Sequence, residues 1–201
     1  MSAGGLVVRC LDGAAVVPYL GEVARLRTTV FRDWPYLYDG DAAYEREYLE
    51  TYARSPESLF VLASDGDAIV GASTAVPLAD EVEAFRRPFM DADIDPATVF
   101  YCGESVLLPA FRGRGLGHRF FDEREARAMQ LGRFDRTAFC AVVRDPGDPR
   151  RPPDYRPLDP FWTQRGYVRR DDVRATLDWR EVGDTTASSH QLAFWLRPLE
   201  P

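Results

Sequence analysis

Lysine is absent from this 201-residue chain, and all 25 of its basic residues are arginines. Without lysine the protein cannot form a Schiff base with a carbonyl substrate. It also cannot build the loop of P-loop enzymes, whose lysine reaches the phosphates. Cysteine and histidine are scarce as well, with three and two residues. Their scattered positions fit neither a disulfide framework nor a zinc site, so we expect no metal centre.

Long apolar runs are missing too. No stretch approaches the roughly 18 consecutive apolar residues of a membrane span, and the first residues lack the features of a signal peptide. The net charge of −7 disfavours nucleic acid as a partner, since phosphate binding needs a positive face. These absences predict a cytoplasmic protein that binds neither membranes nor nucleic acid.

What is present is typical of a folded globular protein, with 45% hydrophobic and 28% charged residues. No internal repeat or low-complexity linker divides the chain. A chain of this length can bury one sizeable core. We therefore expect a single domain over residues 1–201.

Apolar periodicity and turn residues divide the chain into helices and strands. The predicted helices cover residues 18–31, 42–54, 81–90, 115–130 and 159–164. The predicted strands cover residues 6–10, 58–64, 68–77, 99–108, 136–143, 176–180 and 191–197. Asp41 and Asp80 are the expected N-caps of the second and third helices, with Glu45 near the reciprocal capping position. This order predicts a mixed α+β domain of three layers.

The run Arg112-Gly113-Arg114-Gly115-Leu116-Gly117 lies where a predicted strand meets a helix. The first amides of a helix have no internal partners and carry a partial positive charge, which suits a phosphate group. Gly115 and Gly117 lack a Cβ atom, so a diphosphate can approach the backbone closely. Each charge-assisted amide–phosphate bond contributes about 1.5–3 kcal/mol. The run therefore predicts a pyrophosphate-binding turn, with Arg112 and Arg114 at its rim.

Three other interpretations of this turn were open. A dinucleotide-binding G-x-G-x-x-G motif would need a third glycine where the chain has His118, and it belongs early in a βαβ unit. An RNA-binding arginine–glycine segment would be repeated, whereas this run is single and flanked by apolar periodic segments. An ordinary strand-to-helix turn with glycines remained the third alternative.

The run resembles the Q/R-x-x-G-x-G/A signature of the GNAT superfamily of acyl-CoA N-acyltransferases, which Arg112, Gly115 and Gly117 match in register. Downstream, the segment from Phe161 to Tyr167 is similar to the family's Phe-Tyr-x-x-x-Gly-Phe motif, and the order of elements matches over nearly the whole chain. The resemblance implies a GNAT-like fold, with a central, mostly antiparallel, splayed sheet flanked by helices.

The resemblance also implies acetyl-CoA as the co-substrate. The implied partners of its pantetheine arm are backbone groups of Val106, Leu107 and Leu108. The implied pyrophosphate cradle consists of the amides of Arg112, Gly113, Arg114, Gly115, Leu116 and Gly117. The acetyl group would pass directly to a primary amine of a small molecule or peptide, through a tetrahedral intermediate whose oxyanion a strand amide stabilises.

Glu104 is the candidate general base, because the family often uses a glutamate on this strand, directly or through water. The alternative is a purely structural carboxylate. The family's general acid is a tyrosine, but this sequence has Trp162 at that position, and an indole N–H is far too weak an acid. Tyr155 or Tyr101 could substitute, or the thiolate could leave unassisted.

The candidate acceptor site comprises Trp34, Tyr36, Tyr38 and Asp39, because aromatic faces beside a carboxylate suit an ammonium group. The alternative is that these residues only cap the core and a helix. An arginine-rich loop over residues 144–155 could instead receive a carboxylate of the acceptor. Two further functions stayed open: a non-catalytic module that binds acyl-CoA, and a structural homodimer subunit.

Overall fold

The computed structural model describes residues 5–200. The strands of this part of the chain are β1 (Leu6–Leu11), β2 (Leu59–Asp65), β3 (Ala68–Pro77), β4 (Val99–Tyr101), β5 (Ser105–Leu107), β6 (Arg136–Val142), β7 (Val168–Trp179) and β8 (Ser188–Pro198). Its α-helices are α1 (Leu20–Phe31), α2 (Ala42–Arg54), α3 (Glu83–Asp91), α4 (Leu116–Leu131) and α5 (Asp159–Gln164). Each of these helices is too short or too polar to cross a bilayer.

The strands form one sheet in the order β1-β2-β3-β4-β6-β8-β7, and β5 pairs with β3 outside this path. All pairs are antiparallel except β4 with β6, which is parallel. Apolar side chains of α1, α2 and α3 pack on one face of the sheet, and those of α4 and α5 pack on the other. The predicted three-layer α+β architecture is thus confirmed.

The strand predicted over residues 99–108 is broken in two, and here the prediction was wrong. Tyr101 lies opposite Val76, whereas Ser105 lies opposite Ser73. The β4–β5 segment therefore carries one residue more than β3 between these two pairs, which is a β-bulge. Beyond the bulge β5 stays with β3, while β6 continues beside β8, so the sheet splays open between β5 and β6.

Gly103 lies in this bulge because a larger residue does not fit. A Cβ atom at this position would lie 2.6 Å from the hydroxyl oxygen of Tyr52 and 2.7 Å from the hydroxyl oxygen of Thr74. Such contacts are far inside van der Waals distance, so helix α2 and strand β3 both press against the bulge. The close approach of Tyr52 and Thr74 thus requires a glycine at this position of the bulge.

The predicted helix caps had mixed outcomes. Asp41 caps α2 as expected, accepting hydrogen bonds from the amides of Ala43 and Tyr44. Glu45 does not complete a reciprocal cap, because its buried carboxylate turns inward to Arg27 and Tyr38. Helix α3 begins later than predicted, and Asp80 does not cap it.

Candidate active site

The arginine–glycine turn leads into the N-terminus of α4. Gly115 has φ of +81°, a left-handed conformation that side chains other than glycine rarely adopt. The first turn of α4 closes when the amide of Arg119 donates to the carbonyl oxygen of Gly115. Within residues 5–200, the amides of residues 113–118 have no hydrogen-bond acceptor. The turn therefore presents free N–H groups at the positive end of a helix of 16 residues.

The two arginines of the turn are exposed and fold back onto their own loop. The Nε of Arg112 donates to the carbonyl oxygen of Leu107 at 3.2 Å. A terminal nitrogen of Arg114 donates to the carbonyl oxygen of Ala110 at 3.0 Å, and its guanidinium lies over the ring of Phe111. These contacts place two positive charges beside the free amides.

Strand β5 offers unpaired backbone groups next to this turn. The amide of Thr74 donates to the carbonyl oxygen of Glu104, and the amide of Leu108 donates to that of Val70. Glu104 and Leu108 therefore turn their backbone groups toward β3. Because alternate residues of a strand point to opposite sides, Ser105 and Leu107 turn theirs toward the open side of the splay, where the Leu107 carbonyl accepts from Arg112 and the Leu107 amide has no acceptor among the described residues. Of the three implied pantetheine partners, only Leu107 thus faces the opening, while Val106 and Leu108 pair with β3; the assignment itself stays a prediction.

Glu104 is buried at the bulge and is held from both faces of the sheet. Its carboxylate oxygen Oε2 lies 2.5 Å from Nη1 of Arg27 on α1. Its backbone oxygen accepts from the hydroxyl of Ser73 and from the guanidinium of the buried Arg124 on α4. The other carboxylate oxygen, Oε1, has no hydrogen-bond partner among the described residues.

Arg27 joins Glu104 to a second buried carboxylate. Its Nε donates to Glu45, which also accepts from the hydroxyl of Tyr38 at 2.6 Å. Burial alone would lower the pKa of Arg27, but the two carboxylates outweigh it and raise that pKa well above its ordinary value. The guanidinium thus stays charged and ties α1 and α2 to the bulge.

The four predicted acceptor residues lie on the segment between α1 and α2. Trp34 contacts the ring of Tyr155 edge-on, with 6.1 Å between centroids. Tyr36 is half-buried, and its carbonyl oxygen accepts from Trp179. The Asp39 carboxylate pairs with Arg32 at 2.8 Å and with Arg180 at 2.9 Å, so its charge is already balanced. The assignment of these residues to an acceptor site stays a prediction.

The arginines of the loop over residues 144–155 are largely engaged within the protein. Arg144 and Arg150 both contact the buried carboxylate of Glu181. Burial by itself would raise the pKa of Glu181, but the guanidiniums of Arg150 and Arg144 outweigh it and hold that pKa below its ordinary value. The hypothesis that this loop receives an acceptor carboxylate is therefore not favoured, because Glu181 and Asp148 together already pair with Arg144 and Arg150.

The position at which the family has its acidic tyrosine is part of the core. Trp162 packs against Phe139 and Trp195, with centroid distances of 5.0 and 5.1 Å. Of the suggested substitutes, Tyr101 is fully buried, its hydroxyl lies 3.2 Å from Sγ of Cys140, and burial raises its pKa well above the ordinary value. Tyr155 is half-buried beside Trp34.

Three polar residues near the bulge were missed by sequence reasoning. Tyr48 and Tyr52 lie one turn apart on α2, and their hydroxyl oxygens are 3.0 Å apart. The hydroxyl of Tyr52 donates to the buried carboxylate of Glu81. The four-residue spacing of the tyrosines was a readable signal for a shared helix face, whereas nothing in the sequence linked them to Glu81.

Comparison with known protein families shows the family to which the chain belongs. The model of the acetyltransferase (GNAT) family matches residues 23–151, a stretch that includes the glycine turn, the bulge, all of α2 and most of α1. The chain belongs to the GNAT acetyltransferase family. No curated protein matches it with statistical significance.

Solved structures with the same fold cover almost the whole chain at low sequence identity. An acetyltransferase from Thermus thermophilus is 18% identical, with a TM-score of 0.56 over 99% of this chain and 100% of that one. An N-acetyltransferase from Staphylococcus aureus Mu50 is 11% identical, with a TM-score of 0.60 over 98% and 99%. The yncA protein from Salmonella typhimurium, solved with its cofactor acetyl-CoA, is 12% identical, with a TM-score of 0.56 over 97% and 94%.

Proposed function

We propose that this protein is a single-domain N-acetyltransferase that moves an acetyl group from acetyl-CoA directly to a primary amine. The observation that carries the proposal is the free amide cradle of residues 113–118 beside the unpaired backbone of β5. Family membership supports the reaction class, and the neighbour solved with acetyl-CoA supports the donor.

The residues present fit the CoA part of the donor. A diphosphate needs several converging N–H donors, and the turn from Gly113 to His118 has six amides without acceptors in the described chain. Arg112 and Arg114 add positive charge at the rim. An extended arm with amide groups would pair with the backbone of Ser105 and the amide of Leu107, which point into the splay, whereas the Leu107 carbonyl is held by Arg112.

The bound donor supplies an activated thioester, and the protein supplies position and proton transfer. Glu104 is the proposed base, directly or through a bridging water, because it lies at the bulge where β5 and β6 part. Arg27 fixes its Oε2 and leaves Oε1 without a partner in the described chain. An alkyl amine is about one part in 10³ free base at neutral pH, so a group that accepts its proton is useful.

The proposed acceptor is a cationic primary amine of a small molecule or peptide that needs no carboxylate. Two buried carboxylates lie on this side of the bulge, at Glu45 and Glu104. Arg27 is the cation that they share. The unbalanced negative charge favours an ammonium group over an anionic one. Tyr36 and Tyr38 remain the proposed aromatic contacts of that group.

The proposal is tested by titrating acetyl-CoA into the purified protein and then measuring thiol release with three probe amines: 1-butylamine, 1,4-diaminobutane and a peptide with a free N-terminus. We expect binding and turnover. Glu104→Gln should lower kcat/KM by about 10²–10⁴-fold if Glu104 is the base. Glu47→Gln is the matched control, because Glu47 is exposed on α2.

The outcomes separate the competing functions. Binding without thiol release for any probe amine would favour the non-catalytic acyl-CoA module. Absence of binding at millimolar acetyl-CoA would eliminate both that module and the enzyme. Turnover by Glu104→Gln at the wild-type rate would remove Glu104 as base and leave it as a structural partner of Arg27.

A further inference from the structure

The tyrosine that donates a proton in related enzymes is replaced by Trp162, yet a hydrogen-bonded chain of phenols lies on the other side of the bulge. Tyr48 is half-buried, and its hydroxyl lies 3.0 Å from that of Tyr52. Tyr52 is 1% exposed and bonds to Glu81, which is 4% exposed. The Tyr48 ring also lies against the guanidinium of Arg27, which pairs with Glu104. Three groups that can pass protons therefore run inward from a half-buried position near Glu104 to the core.

The inner end of this chain differs from Glu104 in its partners. The Glu81 carboxyl contacts the phenol of Tyr52 and the backbone amide of Val82, whereas Glu104 contacts a guanidinium. No described cation bonds directly to Glu81, and its burial outweighs the more distant charge of Arg27, so that the neutral, protonated form is favoured. Two nearby carboxyls in such different surroundings are the usual arrangement of an acid and a base.

The hydrogen-bonded series of Tyr48, Tyr52 and Glu81 also lies against the bulge. The hydroxyl of Tyr52 touches the bulge so closely that Gly103 has no room for a Cβ atom. The bulge is where β5 and β6 part, and thus where the thioester lies in the proposed function. A phenol is a suitable donor for a thiolate, which an indole is not.

From these observations we propose that Tyr48, Tyr52 and Glu81 form a proton relay that protonates the leaving thiolate of CoA. In this relay Glu81 is protonated and becomes the donor in its hydrogen bond with Tyr52, and Tyr52 donates to Tyr48. Tyr48 gives its hydroxyl proton to the sulfur, Tyr52 gives its proton to Tyr48, and Glu81 gives its proton to Tyr52. One proton moves at each step, both phenols end neutral, and Glu81 ends as a carboxylate. The amine proton taken up through Glu104 and solvent restores Glu81. The inference rests on the proposed acetyl transfer.

The charge state of Glu81 supports this direction of transfer. Burial raises the pKa of Glu81 above its ordinary value, although the hydrogen bonds from Tyr52 and Val82 oppose it. Glu81 therefore keeps its proton at pH values where an exposed glutamate has lost it. The titratable groups that face it from the surrounding elements are Arg27, Tyr48, Tyr52, Tyr101, Glu104 and Cys140.

The test is the pH profile of kcat for the full chain, with the probe amine that the wild type turns over fastest. In the wild type kcat should fall as the pH rises through the pKa of Glu81, because a carboxylate cannot donate. Glu81→Gln and Tyr48→Phe should each lower kcat about 10²-fold and abolish this fall at high pH. Glu104→Gln should instead lower kcat without abolishing this fall.

Tyr44→Phe is the control, because Tyr44 is exposed on the same helix. Acetyl-CoA affinity within twofold of the wild type shows that each variant is folded. Tyr48→Phe keeps the half-buried ring and removes only its hydroxyl. It therefore tests the relay even if Glu81→Gln does not fold. Unchanged kcat and an unchanged high-pH fall in both variants would overturn the relay alone. A wild type that binds acetyl-CoA but turns over no amine would overturn the proposed function and the relay together.

Discussion

Arg27 is a single side chain on which two buried carboxylates depend. Its guanidinium contacts Glu45 and Glu104 at once, and each of these carboxylates is almost fully buried. The sequence predicted Glu104 as a site residue, because it lies on the strand that leads into the glycine turn. It could not predict Arg27, since the partner carboxylates are far away along the chain and a helix position does not specify what will pack against it.

Arg27→Ala should therefore destabilise the protein by about 3–5 kcal/mol, because it leaves two carboxylates buried without a countercharge. The free energy of unfolding in urea measures the effect. Arg25→Ala, on the exposed side of the same helix, should stay within about 0.5 kcal/mol of the wild type. Equal stabilities of the two variants would show that Glu45 and Glu104 do not need Arg27.

Helix α4 has a left-handed glycine at each end, and these two positions serve different purposes. Gly115 precedes its first residue with φ of +81°, and Gly132 follows its last with φ of +66°. The sequence predicted this helix over residues 115–130, within one residue of its observed bounds, and it predicted strands over residues 58–64 and 68–77, where β2 and β3 lie. It did not predict the bulge, because Gly103 is required there only by the tertiary contacts of Tyr52 and Thr74.

Valine at either end of α4 should cost about 1–3 kcal/mol of stability, because each position demands a left-handed backbone. Only Gly115→Val should also weaken acetyl-CoA binding, on the order of tenfold or more, since it perturbs the free amides of the cradle. Calorimetric titration of both variants measures the difference. Equal loss of affinity in Gly132→Val would show that strain in α4, rather than the cradle, controls binding.

The whole molecule brings the end of β7 against the segment between α1 and α2. Glu181 pairs with Arg144, which in turn donates to the carbonyl oxygens of Pro35 and Tyr36. Two further backbone bonds, from Asp39 to Arg180 and from Val182 to Leu37, complete the connection. The acceptor segment is thus held by elements far from it in sequence, which is why local patterns could not place it.

Glu181→Ala should loosen this segment without disturbing the donor site. We expect faster proteolysis between α1 and α2 and a higher KM for the amine, because Arg144 and Arg150 lose their shared partner. Acetyl-CoA affinity should not change. Asp184→Ala, at an exposed neighbouring position, is the control. Acetyl-CoA affinity that falls together with a rise in the amine KM would contradict the separation of the two sites.

The break at the bulge also has a mechanical side. In the described chain the two halves of the sheet pair at Val76 with Tyr101 and at Pro77 with Phe100, and the amide of Gly103 adds one bond to the carbonyl oxygen of Thr74 before β5 and β6 diverge. The two halves of the sheet are therefore joined by one short β3–β4 pairing. Their relative angle depends on that pairing and on the helices that pack across both halves. An extended ligand bound between β5 and β6 would contact both halves of the sheet. The same contacts would therefore hold the ligand and restrict the motion of one half relative to the other.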